Sequence, residues 1–197
     1  SRIRVAAAIH RTPFVPEPTL MRSFLTGLAG FLVTFALAHL IIVNALPGKI
    51  MSKVRERMIA GNMPTQHWQM APRVSPETQR VVRPAPDLAY AICVIDLSDG
   101  PVELDAPAWN NYGSLSVFSA QTDNVYAGSL DARATGTPDM RRVVVATSKQ
   151  NVSSAGDAEI VRVEQPEALA LIRRLAPTQE AYDAAAALIP ESRCRHL

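Results

Sequence analysis

Residues 24–46, FLTGLAGFLVTFALAHLIIVNAL, run for 23 positions without a charged side chain. As a helix rising about 1.5 Å per residue this stretch spans about 35 Å, more than the roughly 30 Å hydrocarbon core of a bilayer. A transmembrane helix over 24–46 is therefore the first expectation, against the alternative of a buried helix in a soluble protein. Thr26 and Thr34 can bond the preceding turn's carbonyls. His39 is the one ionisable side chain in the run, with no second such group to act as a relay partner, so it reads as a neutral imidazole. Gly30 and Thr34 give a weak small-residue spacing for a partner helix. Ala36-Leu37-Ala38 has the small-x-small form of a signal-peptidase site, but the apolar run continues through Leu40-Ile41-Ile42-Val43, which favours an uncleaved anchor.

Charge divides the chain. Residues 1–86 carry a formal +8 and residues 87–197 carry −6, so the two halves are expected to meet different surroundings. No basic stripe is interleaved with aromatics, which argues against nucleic-acid binding. Arg2, Arg4, Arg11 and Arg22 precede the span and Lys49, Lys53, Arg55 and Arg57 follow it, so the positive-inside rule does not choose an orientation. If Met21-Arg22 is the true start, the balance favours a cytoplasmic carboxyl side. Residues 1–23 read as a disordered basic arm. Residues 49–60, KIMSKVRERMIA, read as a basic amphipathic juxtamembrane helix with Ile50, Val54 and Met58 on one face. The prolines between 61 and 86 read as the rest of a stalk that runs from 47 to 86.

A globular domain is expected over residues 87–190, with 191–197 as a tail. Apolar or alternating runs at Leu88–Leu97, Pro101–Ala106, Leu115–Phe118, Val125–Leu130, Val143–Thr147 and Glu159–Val163 read as strands, separated by Gly, Pro, Asn and Asp clusters. Long helical patterns do not interrupt them, so parallel βαβ units are not expected. The domain is expected to be mainly β, an antiparallel sandwich or jelly-roll-like body. Two helices should follow. Pro166–Ala176 opens on proline and ends on arginines, and Thr178–Leu188 opens on threonine with early acids.

Pro86-Asp87-Leu88-Ala89-Tyr90, Asp96-Leu97-Ser98-Asp99-Gly100-Pro101, Tyr112, Phe118, Thr122-Asp123-Asn124, Tyr126, Gly128 and Thr135-Gly136 appear in series, followed by Val161–Leu175 with Arg173. This series resembles the family called domain of unknown function 1254, over roughly residues 86–188. The resemblance implies a sandwich or jelly-roll-like domain, often exported, commonly accompanied by a sister domain of unknown function 1214 that a companion chain would supply here. The sequence departs from the family pattern where an acidic residue is usual before Thr-x-Asn, a position held here by Ser119 or Ala120, and at Ala146-Thr147, where glycine-proline is usual.

Four histidines, His10, His39, His67 and His196, all lie outside the expected strands. A Ser-His-Asp triad or a histidine-rich metal site is therefore not expected, and neither metal nor cofactor is. Cys93 reads as a small buried hydrophobe and Cys194 as an incidental tail thiol, which excludes a disulfide-rich scaffold. Candidate polar or ligand-binding residues are Asp87, Tyr90, Asp96, Tyr112, Asp123, Asn124 and Tyr126, against the plainer reading of turn-capping aspartates and core aromatics. Three functions compete. The first is a non-enzymatic membrane-anchored β-domain that binds a partner protein. The second is an envelope enzyme acting on a glycan or lipid through Asp and Tyr groups, and the third an accessory subunit of a membrane complex. The expected location is a bacterial inner membrane, with the bilayer as partner and the domain periplasmic.

Overall fold

The computed structural model describes residues 18–75 and 84–197; the expected arm over 1–17 and the stalk residues 76–83 lie outside the described residues. The chain resolves into two units, residues 1–45 and 46–197.

Helix α1 runs from Pro18 to Ala60 with Pro47 inside it. It joins what the sequence suggested were separate pieces, the end of the arm, the span and the juxtamembrane helix. Proline removes one backbone bond and crowds the preceding turn, but the residues beyond it are held from outside. Met51 is buried, and Val54, Met58 and Met63 pack with it against Val94 and Leu169. Val54 and Met58 take the expected apolar face, while Met51 stands in place of Ile50, which stays half exposed. The helix ends in a Schellman turn. Asn62 takes φ +64°, its N–H donates to the Ile59 carbonyl, and the Met63 N–H reaches back to Met58 at 3.1 Å. Met58 and Met63 supply the apolar contact that accompanies such a turn.

This turn leads into the β-domain, not into a stalk. Gln66 donates from its backbone to Val94 and from its side chain to the Asp96 carbonyl. Strand β1 (Gln69–Met70) pairs with β2 (Leu88–Asp96). Trp68 is only 4% exposed, and its indole N–H donates to the Arg193 carbonyl at 2.7 Å. The folded unit therefore begins well before Asp87, because the segment 63–70 supplies both an edge strand and a large core side chain.

The other strands are β3 (Val102–Pro107), β4 (Gly113–Ser119), β5 (Asn124–Ser129), β6 (Met140–Thr147), β7 (Glu159–Val163), β8 (Glu167–Leu175) and β9 (Cys194–His196). They form a five-stranded sheet, β1-β2-β8-β4-β5, and a four-stranded sheet, β7-β6-β3-β9. Ala91, Cys93, Ile95, Leu115, Val117, Ala168, Ala170 and Ile172 of the first sheet share one apolar cluster with Val102, Leu104, Val143, Val145 and Cys194 of the second. The chain is mostly β, and among the described residues the named strands pair antiparallel except β6–β7, which pair parallel.

Two further expectations are corrected. Residues 166–176 are not a helix: β8 is the central strand of its sheet and pairs with β2 and β4 along its whole length. Ala168, Ala170 and Ile172 face the core cluster while Leu169 meets α1. Burial on both faces overrides the helix preference of alanine and leucine. Only the second expected helix forms, as α2 (Gln179–Ala187), where the Thr178 hydroxyl caps the Ala181 N–H. Residues 191–197 are not a free tail, since β9 pairs with β3 and Cys194 is bonded to Cys93. The disulfide joins β2 of one sheet to the edge strand of the other. At the opposite edge, Tyr126 on β5 donates to Glu159 on β7, and Arg141 contacts Glu159 and the Ser129 carbonyl.

Trp68→Ala should lower unfolding free energy by about 3–5 kcal/mol, the usual cost of deleting a buried tryptophan; guanidinium titration of the full chain in detergent checks this, and a stalk residue would cost almost nothing. The disulfide closes a loop with sequence separation 101. Replacing both cysteines with alanine should cost roughly 2–5 kcal/mol in the same titration.

Candidate functional site

The sequence-derived candidates do not assemble into one groove. The register sets Leu88 opposite Leu175 and Asp96 opposite Glu167, so Asp87 and Tyr90 lie toward one end of the first sheet and Asp96 lies at the other. Tyr112, directly before β4, falls at the Asp87 end, because Gly113 pairs with Arg174. Asp123 and Asn124 fall at the Asp96 end, where Ser119 pairs with Ala168. Several of these polar groups have a local task. The Tyr90 hydroxyl accepts from the Ala85 N–H, and Asp96 accepts from the Ser98 N–H and hydroxyl, which holds its carboxyl below the usual range. The Asn124 side-chain amide lies against the Val117 and Tyr126 carbonyls. Ser119 caps the β4–β5 turn by accepting from the Gln121 and Asp123 N–H groups. Burial, and then donation to Glu159, push the Tyr126 hydroxyl up to about 12.

Two features escape a reading of the sequence. Glu103 and Asp105 alternate with Val102 and Leu104 and look solvent-facing, yet they are 5% and 4% exposed. Arg142 donates to Glu103 at 2.9 Å and lies 3.7 Å from Asp105. Arg193 and Arg195 on or beside β9 approach Asp105 and Glu103 at 3.6 and 3.5 Å. The arginines, far off in sequence, cover a carboxylate pair that the strand pattern alone would leave wet. Asp105 Oδ1 makes no hydrogen bond among the described residues, and burial followed by the neighbouring Glu103 raises its carboxyl. The second feature is Arg174, 1% exposed on the core-facing side of β8. It donates to the Pro107 carbonyl at 3.0 Å, while Nε and Nη1 have no partner among the described residues. Burial lowers it to about 10, so it stays protonated at neutral pH.

A hollow of about 270 Å³ lies between the second half of α1, the β4–β5 turn and the start of β8. Gly48, Met51, Ser52 and Arg55 line it from the helix, Ala120 and Gln121 from the turn, and Gln165 and Glu167 from β8 and the residue run before it. Positions 48, 51, 52 and 55 share one helix face. At Gly48 a Cβ would come within 2.9 Å of the Gln121 amide, so glycine permits this close approach. Arg55, with 13% of its side chain exposed, has Nη1 3.9 Å from Glu167 and Nη2 3.8 Å from Asp96. Among the described residues there is no group of three or more His, Cys, Asp or Glu suited to a metal ion.

Residues 64–196 match the family described as Protein of unknown function (DUF1254). The chain belongs to that family. The match starts at the segment that carries Trp68 and ends in β9, the same limits over which the strands pair. The fold is similar to the crystal structure of the VPA0106 protein from Vibrio parahaemolyticus, with TM-score 0.61 and 17% identity over 79% of this chain and 36% of that one. An uncharacterised protein from Burkholderia cenocepacia is also similar, with TM-score 0.40 and 15% identity over 68% and 37% of the two chains. The match thus covers about a third of the length of the Vibrio structure. No curated protein matches it.

Because the folded state binds the Asp105 proton more tightly than the unfolded chain does, ionisation of this group subtracts stability as pH rises from its unfolded-chain pKa through its raised folded one. Asp105→Asn should therefore be more stable than the parent at neutral pH, with the difference closing as the solution is made acid; denaturation at several pH values measures both.

Proposed function

We infer that this DUF1254 protein is a membrane-anchored interaction module, a two-layer β-sandwich held at the outer surface of a bacterial inner membrane by residues 24–46. The observation that carries the reading is the helix itself. Every side chain from Phe24 to Leu46 is exposed, including Phe24, Leu25, Phe31, Leu32, Phe35, Leu37, Leu40, Ile41 and Ile42. An apolar surface this large is not left in water. The helix also passes through Ala36-Leu37-Ala38 without a break and continues to Ala60, which supports an anchor over a cleaved leader. Pro47, just after the apolar run, leaves the Val43 carbonyl without its helical donor, a cost that lipid headgroups and water at the interface can offset.

The Cys93–Cys194 disulfide supports the extracytoplasmic side, because such bonds persist in oxidising compartments and are rare in the cytosol. Charge counting across the span could not make that choice. Interaction rather than catalysis is supported by the dispersal of the Asp and Tyr candidates to opposite sheet ends. A companion domain of the 1214 kind, on a second chain or elsewhere in the same protein, is supported by the roughly twofold greater length of the Vibrio structure.

Full-length protein should stay with membranes through an alkaline wash and leave them only in detergent. A reporter that is active only outside the cytoplasm, fused after Leu197, should give signal, and the protein should change gel mobility on reduction. Activity from a cytoplasm-only reporter at the same position would reverse the orientation, and release by the alkaline wash would remove the anchor.

A further inference from the structure

We propose that the membrane-spanning part of α1 pairs in parallel with a second copy of this chain, the two helices joined by a hydrogen bond between their His39 imidazoles. The inference rests on the membrane reading of residues 24–46 and adds a partner to it. Depth is the first argument. Residues 24–46 are centred on Phe35. His39 lies four residues past that midpoint, about 6 Å of helix rise, inside a hydrocarbon core roughly 30 Å thick. Its ring is not turned toward the nearer boundary. Side chains on a helix lean toward its N-terminus, and the imidazole lies beside the Phe35 ring one turn earlier, with centroids 6.2 Å apart and planes 12° off parallel. That direction leads toward the midplane, which removes snorkelling as an outlet.

Unmet bonding capacity is the second argument. A neutral imidazole carries one N–H donor and one lone-pair acceptor, and lipid tails answer neither. Polar side chains nearer the ends of the run are satisfied within the helix. The Thr26 hydroxyl is 3.0 Å from the Arg22 and Ser23 carbonyls, and the Asn44 amide donates to the Leu40 carbonyl at 2.8 Å. His39 is exposed and makes no hydrogen bond among the described residues. Those residues hold one helix long and apolar enough to span, so the missing bond comes from another molecule. A second copy fits for two reasons. Copies inserted the same way bring their His39 rings to one depth, and the imidazole is its own complement, donor to acceptor. The surface around it is regular. Leu25, Leu28, Leu32, Phe35, His39 and Ile42 recur at alternating steps of three and four, the seam of a left-handed helix pair, and all are exposed. His39 is the one polar member, and a single polar side chain in such a seam fixes register and partner number. Gly27, Thr34 and Ala38 form a seam of small residues about a third of a turn away, which is the competing contact.

The test places the full chain, with donor or acceptor fluorescent proteins fused after Leu197, in phospholipid vesicles at several protein-to-lipid ratios. Energy transfer should follow a dimerisation curve as protein density rises. His39→Phe keeps the ring beside Phe35 but removes both nitrogens, and should weaken association about threefold to tenfold, the range of one interhelical hydrogen bond in lipid. His39→Asn, whose amide again carries donor and acceptor, should restore it. A contact made by packing alone would give the reverse order. Retention through an alkaline wash and an intact disulfide verify that each variant is inserted and folded. Energy transfer no greater than random crowding in the parent chain would overturn the second-copy assignment, and His39→Phe with undiminished association would overturn the role of the imidazole. Association lost in Gly27→Leu but kept in His39→Phe would move the contact to the small-residue seam and equally overturn the proposal. A parent chain released by the alkaline wash would instead sink the membrane reading on which the proposal stands.

Discussion

The contact on which the rest depends is the apolar seam between the second half of α1 and the outer face of the larger sheet. Met51, Val54 and Met58 cover Val94 and Leu169, side chains that would otherwise point from a central region of the sheet into water. Covering them explains why β2 and β8 are rich in apolar residues on both faces, a pattern that an antiparallel sheet with one wet face would not show. The same seam keeps α1 helical past Pro47 and fixes where its Schellman turn releases the chain. From there Trp68 reaches the core, and β1 extends the sheet.

The two sheets are tied at both edges by different chemistry. On one side the Cys93–Cys194 bond links β2 to β9, and the Trp68 indole hydrogen bond to Arg193 lies beside it. On the other the ties are polar, running through Tyr126, Glu159 and Arg141. Fixing β9 also fixes Arg193 and Arg195, which, with Arg142, cover Glu103 and Asp105. The disulfide thus does more than shorten the unfolded chain: it positions the strand that flanks a buried carboxylate pair. No enzymatic role follows from that pair, since its charges are answered by arginines and Asp105 is nearly inaccessible.

Much of this was legible in the residues. The uncharged run from Phe24 to Leu46, six strands and the Thr178 cap of α2 all follow from local patterns with a physical cause. What misled were positions whose environment is made by distant parts of the chain. The run PEALALIRRL satisfies helix preferences, and only pairing on both sides by β2 and β4 makes it a strand. Glu103 and Asp105 read as a wet face because the arginines that cover them lie up to about ninety positions away. Cys93 and Cys194 read as unrelated because nothing in their neighbourhoods says that β9 will return to β3. Trp68 was hidden in a proline-rich stretch that resembles a linker by composition. The hollow near Arg55 is of the same kind, assembled from a helix face, a turn and a strand end.

Hydrogen exchange of backbone amides in the full chain, held in detergent, tests the docked seam most directly. Amides of residues 48–60 and 66–71 should exchange as slowly as those in the centre of β2 and β8, because all of them open only when the sheet loses its cover. Rapid exchange through both segments, with β2 and β8 still protected, would show that the β-domain folds without α1's second half and would contradict the account.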